Sequence, residues 1–132
     1  MHTPREQFEQ RVRLIGESRW AELIDQYADD AVVEMPFALP APVRLEGRDQ
    51  IAAHLARAER LPLRFTVRDV VLHETADPQL LVAEYGYRLT NTASGETADV
   101  DNIQTFRIRD GLITRSRDFH DHRAIGRLLG RS

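Results

Sequence analysis

Apolar residues in the first part of the chain recur every three or four positions, which is the spacing of an amphipathic helix. Phe8, Val12 and Ile15 predict a first helix, and Thr3 with Glu6 would form a capping box at its start. Two further sets with the same spacing predict a second and a third helix: Trp20, Leu23, Ile24 and Tyr27, and then Ile51, Leu55 and Ala58.

The remainder of the chain has the two-residue period of β-strands. Strands are expected at 31–35, 64–74, 81–89, 97–109 and 112–120, and a short last helix at 123–129. The apolar parity of the second of these strands changes near Asp69, which predicts a β-bulge. Asp110-Gly111 predicts a tight hairpin turn. Helices that precede a run of antiparallel strands indicate the α+β class.

Two absences from the composition narrow the possible chemistry. The 132 residues include no cysteine, and all 18 basic residues are arginine, so the chain also has no lysine. A thiol nucleophile, a disulfide framework, a lysine Schiff base and a complete P-loop are therefore excluded. Catalysis would depend on carboxylate, imidazole, hydroxyl, amide or guanidinium side chains.

Length and charge predict a single domain that spans residues 1–132 and has a mixed, solvated surface. The formal net charge is −3, and the arginines alternate with acidic residues instead of forming a basic stripe for nucleic acid. No apolar run approaches the roughly 20 residues of a membrane span, and the polar start of the chain does not resemble a signal peptide. We expect a cytoplasmic protein that binds neither nucleic acid nor membrane.

Several segments resemble known families. Residues 27–36 (Tyr-Ala-Asp-Asp-Ala-Val-Val-Glu-Met-Pro) and 47–53 (Gly-Arg-Asp-Gln-Ile-Ala-Ala) resemble the ketosteroid isomerases, while residues 109–113 and 117–121 resemble the SnoaL-like polyketide cyclases. Both groups belong to the NTF2-like superfamily. The resemblance implies an NTF2-like cone, in which a curved, cystatin-like antiparallel sheet wraps around three N-terminal helices and leaves a cavity. It also implies a homodimer through the convex sheet face.

The resemblance to the isomerases fails at their catalytic positions. Met35 stands where those isomerases carry the general-base Asp, and a thioether cannot accept a proton. Their oxyanion hole, a Tyr and a protonated Asp, aligns near Arg11 and Gln104. Tyr27 matches a supporting tyrosine of the family. The chain is therefore not expected to isomerise steroids.

The last strand carries a different candidate acid/base group. The Asp that serves this role in the polyketide cyclases aligns with Asp118. Ser116, Asp118 and His120 project to one face of the strand. If that face is concave, the carboxylate favours a charged imidazole, and the pair suits proton transfer on a carbon acid. Alternatively, Asp118 pairs at the sheet surface with an arginine: Arg88, Arg115 or Arg117.

The neighbouring strand carries two amides. Asn102 and Gln104 have the parity of the apolar residues Phe106 and Ile108, so all four would face inward together. The amides would then donate hydrogen bonds to a carbonyl or an enolate. In the alternative arrangement they form a polar outer face or a dimer contact.

The polar residues also permit two further arrangements. Asp101 beside Asp118 and an arginine would resemble the Asp-Arg-Asp set of the superfamily's epoxide hydrolases. Asp118, His120 and His122 would present metal ligands if one strand face carried all three. His122 is instead expected to be exposed next to Asp121, which caps the last helix, so neither a metal nor another cofactor is predicted.

The candidate site combines these polar residues with large apolar side chains that would line an open cavity. The catalytic candidates are Asp118 and His120, and the ligand-binding candidates are Trp20, Tyr27, Met35, Phe37, Leu55, Tyr85, Asn102, Gln104 and Ser116. His54 and His73 are expected at the surface. The first hypothesis is a cofactor-independent isomerase, cyclase or dehydratase for a small hydrophobic carbonyl compound. The alternatives are a non-catalytic binding protein and a scaffold with a filled cavity.

Overall fold

Helices and strands segregate along the chain as the hydrophobic pattern predicts, which confirms the α+β class. The computed structural model describes residues 2–130. Its elements are α1 (Pro4–Gly16), a 3-10 helix (Trp20–Gln26), β1 (Tyr27–Met35), β2 (Val43–Glu46), α2 (Arg48–Glu59), β3 (Leu63–Glu74), β4 (Leu80–Asn91), β5 (Thr97–Arg109), β6 (Leu112–His120) and α3 (His122–Leu128). Within the described range, no helix is both long enough and apolar enough to cross a membrane.

The strands form one curved, open sheet in the order β2-β1-β6-β5-β4-β3. Strands β3 to β6 are the predicted antiparallel meander. β1 joins it by pairing in parallel with β6, with Val33 opposite Ser116. Local periodicity contains no information about this long-range pairing, so the sequence did not predict it. The pairing brings the strand that ends in Met35 next to the strand that carries Asp118.

A β-bulge bends β3 at the position that the parity change predicted. The register of β3 on β4 shifts between Arg68 and Val71, and Asp69 has a left-handed φ of 55°. A bulge increases the local bend and twist of a strand. α1 packs against β3 and β4 on the inner side of the curved sheet.

The second predicted helix is shorter than its apolar spacing suggested. Tyr27, which was expected in that helix, is the first residue of β1 and pairs with Ile113 of β6. The segment before Tyr27 is a seven-residue 3-10 helix. Arg19 stands at the N-cap position of this helix and makes no side-chain capping hydrogen bond. Pairing with β6 satisfies the backbone at Tyr27, and this tertiary contact overrides the local helical spacing. By contrast, the capping box of Thr3 and Glu6 is present at the start of α1.

Burial alternates along β5 and orients its side chains. Asn102 and Gln104 are buried together with Phe106 and Ile108, as their shared parity predicted. Asp101, between the two amides, faces outward, and 93% of its side-chain surface is exposed. The inner face of the sheet therefore presents two amides within an otherwise apolar interior.

Candidate active site

A cavity of about 350 Å³ lies between the curved sheet and the helices. This volume is within the range of about 300–1,000 Å³ that is typical of small-molecule sites. Its lining is mostly apolar and includes four of the predicted large apolar side chains, Trp20, Tyr27, Met35 and Leu55, together with the predicted polar residues Gln104, Asp118 and His120. Val33, Leu45, Ile51, Ala58, Leu61, Phe65, Tyr87, Ile125 and Leu129 complete the apolar wall. The structure therefore does not have the completely filled interior that the scaffold hypothesis requires.

Asp118 is buried in the wall of this cavity and is held by neutral donors. Gln104 Nε2 donates to Asp118 Oδ1 at 2.7 Å, and Ser116 Oγ donates to the same oxygen. Tyr85 OH donates to Gln104 Oε1, which turns the amide nitrogen of Gln104 toward Asp118. The other oxygen, Asp118 Oδ2, has no donor among residues 2–130 and is left for a ligand.

The surface ion pair that was the alternative for Asp118 does not form. Arg88 Nε pairs instead with Asp99 Oδ1 at 3.2 Å, and Arg115 pairs with Glu34 on the outer face of the sheet. Arg117 Nε lies 3.9 Å from the same glutamate. The three arginines face outward because they alternate with Ser116 and Asp118, or lie on the outward parity of β4.

His120 also lines the cavity, and it is neutral. Burial lowers its pKa to about 4, although the nearby Asp118 opposes the shift. The carboxylate does favour the charged imidazole, as expected, but the loss of hydration on burial outweighs this attraction. His120 Nδ1 lies 2.7 Å from Asn102 Oδ1. An amide oxygen can only accept, so Nδ1 carries the proton and Nε2 is the acceptor of the ring.

Three of the predicted ligand contacts lie behind the lining. Tyr85, Asn102 and Ser116 are buried and hydrogen-bond to residues that line the cavity. Burial raises the pKa of Tyr85 and, for its neighbour Tyr87, raises it to about 12. Both phenols remain protonated donors at neutral pH.

Phe37 and Asp101 do not belong to the cavity. Phe37 is 64% exposed, and its ring packs 5.4 Å from that of Phe119. Strand β1 ends at Met35, and Pro36 follows it, so Phe37 lies in the loop and not on the inner face of the strand. Asp101 contacts Arg68 at 3.4 Å on the outer face, while Asp118 faces inward. The Asp-Arg-Asp arrangement is therefore wrong, because the two carboxylates lie on opposite faces of the sheet.

Four further polar residues line the cavity: Arg11, His54, Arg57 and His122. The two histidines were expected at the surface, but burial lowers the pKa of each. The sequence did indicate the inward position of His54, because this residue lies three positions after Ile51 and shares the inner face of α2. His122 turns inward because α3 packs against β5, and its ring centroid is 5.8 Å from that of His120. Within residues 2–130, no three histidine or carboxylate side chains are arranged to hold a metal ion.

Replacing Asn102 with aspartate should raise the pKa of His120. A carboxylate at 2.7 Å from Nδ1 would stabilise the imidazolium, and such a pair shifts a pKa by about one to three pH units. NMR titration of the His120 ring measures the change. Asp101→Asn alters the adjacent residue on the outer face and is the matched control. An unchanged His120 titration in Asn102→Asp would contradict the assigned contact.

Two sequence comparisons find relatives of the chain. The family model of the SnoaL-like domain matches residues 8–116. An uncharacterised PhzA/B-like protein of Pseudomonas aeruginosa is 40% identical over 107 residues, which cover 79% of this chain and 72% of that protein.

Solved structures share the fold at low sequence identity. A candidate isomerase from Bacillus subtilis is 21% identical with a TM-score of 0.87, and the match covers 96% of this chain and 92% of that one. A Catenulispora acidiphila protein with a ketosteroid isomerase-like fold, in complex with trimethylamine, is 18% identical with a TM-score of 0.79 and coverages of 99% and 96%. A candidate polyketide cyclase from Xanthomonas campestris is 20% identical with a TM-score of 0.77 and coverages of 94% each.

Proposed function

The chain belongs to the SnoaL-like family, and we propose that it is a cofactor-independent enzyme that moves protons on a hydrophobic, carbonyl-bearing small molecule. The reaction class is isomerisation, cyclisation or dehydration, since each needs a proton removed from a carbon acid and returned elsewhere. This class of chemistry requires a carboxylate or an imidazole next to an apolar cavity. It requires neither a thiol nor an amine, which the chain lacks.

The observation that carries the proposal is the position of Asp118. Its carboxylate is buried on an apolar cavity, both of its hydrogen bonds go to Oδ1, and no arginine of residues 2–130 neutralises it through an ion pair. Oδ2 is then free to accept a proton from bound substrate. The Tyr85–Gln104 hydrogen bond fixes the orientation of Asp118, so Gln104 positions the base instead of polarising the substrate carbonyl.

His120 and Tyr27 supply the other roles in this proposal. The neutral His120 presents Nε2 as an acceptor and can relay a proton between Asp118 and substrate. Burial raises the pKa of Tyr27, so its phenol stays protonated. A protonated phenol on the cavity wall can donate to a substrate oxygen that gains negative charge in the transition state.

A non-catalytic binding protein is the second candidate, and Met35 favours it. The side chain lines the cavity and is 5% exposed, so an apolar group occupies the position that the resemblance assigns to the isomerase base.

The homodimer through the outer sheet face also stays a prediction. Val71 and Ile103 are exposed there, and the molar mass in solution tests whether a second copy covers them.

Proton exchange on a simple ketone tests the proposal without the natural substrate. In D₂O, the protein should accelerate replacement of the acidic α-protons of 2-tetralone by deuterium, followed by ¹H NMR, with a rate that saturates in ketone. Quenching of Trp20, the one tryptophan of the chain, reports binding in the same cavity. Quenching by 2-tetralone without exchange above the buffer rate would contradict the enzyme and support the binding protein.

A further inference from the structure

Arg11 is a buried cation that no acidic side chain neutralises. It extends from α1, its exposed fraction is 5%, and it lines the cavity. Its hydrogen-bond partner in the protein is a neutral amide, because Nη1 donates to Gln26 Oε1 at 3.3 Å. The rings of Tyr27 and Phe106 lie 5.6 and 5.5 Å from the guanidinium carbon. Among residues 2–130, no Asp or Glu oxygen is within ion-pair distance of it.

The surroundings hold the guanidinium in one orientation. Gln26 Nε2 donates to Gln7 O at 2.8 Å, which points Gln26 Oε1 at Arg11. Arg11 Nε and Gln7 Oε1 are both buried without a partner and border a void of about 10 Å³. Burial raises the pKa of the adjacent Tyr27 phenol, and a hydrogen bond with Arg11 opposes this shift. None of the guanidinium nitrogens donates to a carboxylate of residues 2–130.

A buried charge of this kind is costly unless a partner of opposite charge completes the site. Asp118 attracts Arg11 from a distance, but Oδ1 of that carboxylate is occupied by Gln104 and Ser116. The cavity-lining histidines are shifted toward their neutral forms and do not compete for an anion. Arg57, the other cation on the cavity wall, is exposed to solvent.

We propose that Arg11 binds a carboxylate group of the ligand, which makes the ligand a hydrophobic acid and, if the proposed function holds, a hydrophobic keto acid. The guanidinium fork matches a carboxylate in shape and charge, and it does so best where water is excluded. Such a ligand would place its charge at the Arg11 end of the cavity and its apolar part against residues such as Trp20 and Leu55. The carbonyl part of this statement rests on the proposed function, whereas the carboxylate part rests on Arg11 alone.

A matched pair of ligands tests the charge preference on the wild-type protein. 4-Oxo-4-phenylbutanoate and 4-oxo-4-phenylbutanamide have nearly the same shape. The first carries a carboxylate at the position where the second carries a neutral amide. Quenching of Trp20 fluorescence gives both dissociation constants. We expect the acid to bind at least roughly tenfold more tightly than the amide, as a charge-assisted hydrogen bond predicts. Equal affinities, or tighter binding of the amide, would overturn the proposal without any mutation.

Variants then assign the preference to one arginine. Arg11→Gln should remove the preference for the acid, and Arg11→Lys should keep part of it because the charge remains. Arg13→Gln, an identical change at an exposed position of α1, is the matched control and should retain the full preference. If Arg57→Gln abolishes the preference and Arg11→Gln does not, the carboxylate site is at the rim and the assignment to Arg11 is wrong.

The failure of this proposal and that of the proposed function give different results. Selective binding of the acid without α-proton exchange on any ketone would support the Arg11 site and contradict the proposed enzymatic function. Exchange on 2-tetralone together with equal affinities for the acid and the amide would support the enzymatic function and contradict the Arg11 site. Circular dichroism and thermal melting confirm that each variant is folded before its affinities are compared.

Discussion

Asp118→Asn should lower the rate of α-proton exchange on 2-tetralone by a factor of about 10²–10⁴, which is the usual contribution of a positioned general base. Asparagine has nearly the same volume, and its Oδ1 can still accept from Gln104 Nε2 and Ser116 Oγ. The group that replaces Oδ2 is an amide nitrogen, which cannot accept a proton. The site would therefore keep its shape and lose the base.

Binding and exchange should separate in this variant. The dissociation constant of 2-tetralone, from quenching of Trp20, should change only a few-fold, because the apolar wall is intact. Asp101→Asn makes the same chemical change on the outer face of β5, where the side chain is 93% exposed, and should leave exchange unchanged. Exchange by Asp118→Asn at the wild-type rate would exclude Asp118 as the base and leave His120 as the remaining candidate.

Folding stability should fall as the pH is lowered from about 6.5 to about 4, and His120 should account for much of the decrease. Its pKa is about 4 in the folded protein against 6.5 for an unperturbed histidine. Between these values the unfolded chain binds a proton that the folded protein excludes, so protonation favours unfolding. This stabilisation is fully present above pH 6.5 and is lost at pH 4. A difference of this size corresponds to a loss on the order of 3 kcal/mol.

Urea unfolding between pH 7.5 and pH 4.5, followed by Trp20 fluorescence, measures this dependence. His120→Gln removes the titrating group and should give a flatter profile, while carboxylates that titrate in the same range contribute equally to both proteins. Parallel profiles for wild type and His120→Gln would show that His120 does not titrate with a lowered pKa.

The two-residue period of the strands was sufficient to show which polar groups share a face, and the structure decided that this face is the concave one. Asn102 and Gln104 share the parity of Phe106, and Ser116, Asp118 and His120 share one face of β6. All of these side chains face the concave side of the sheet. Parity is a local property of an extended backbone, so it can be obtained without knowing which strands are neighbours.

Other parts of the site depended on contacts between distant segments. Arg11 enters the cavity wall because α1 packs inside the curved sheet, and His122 lines it because α3 packs against β5. Phe37 shows the converse. Its large apolar side chain is typical of a pocket residue, but the loop after β1 places it at the outer surface. The direction of the Phe37 side chain depends on the conformation of an irregular loop, which hydrophobic periodicity cannot predict.

The sequence by itself determined the α+β class, the capping box of α1, the bulge near Asp69 and the strand face that Ser116, Asp118 and His120 share. Each of these depends on neighbouring residues and on backbone geometry that repeats. Only the tertiary structure decided that β1 pairs with β6, that His120 is neutral and that Arg11 has no acidic partner. Protonation and ion pairing depend on burial and on distances between groups far apart in the chain, and these exist only once the sheet has curved around the helices.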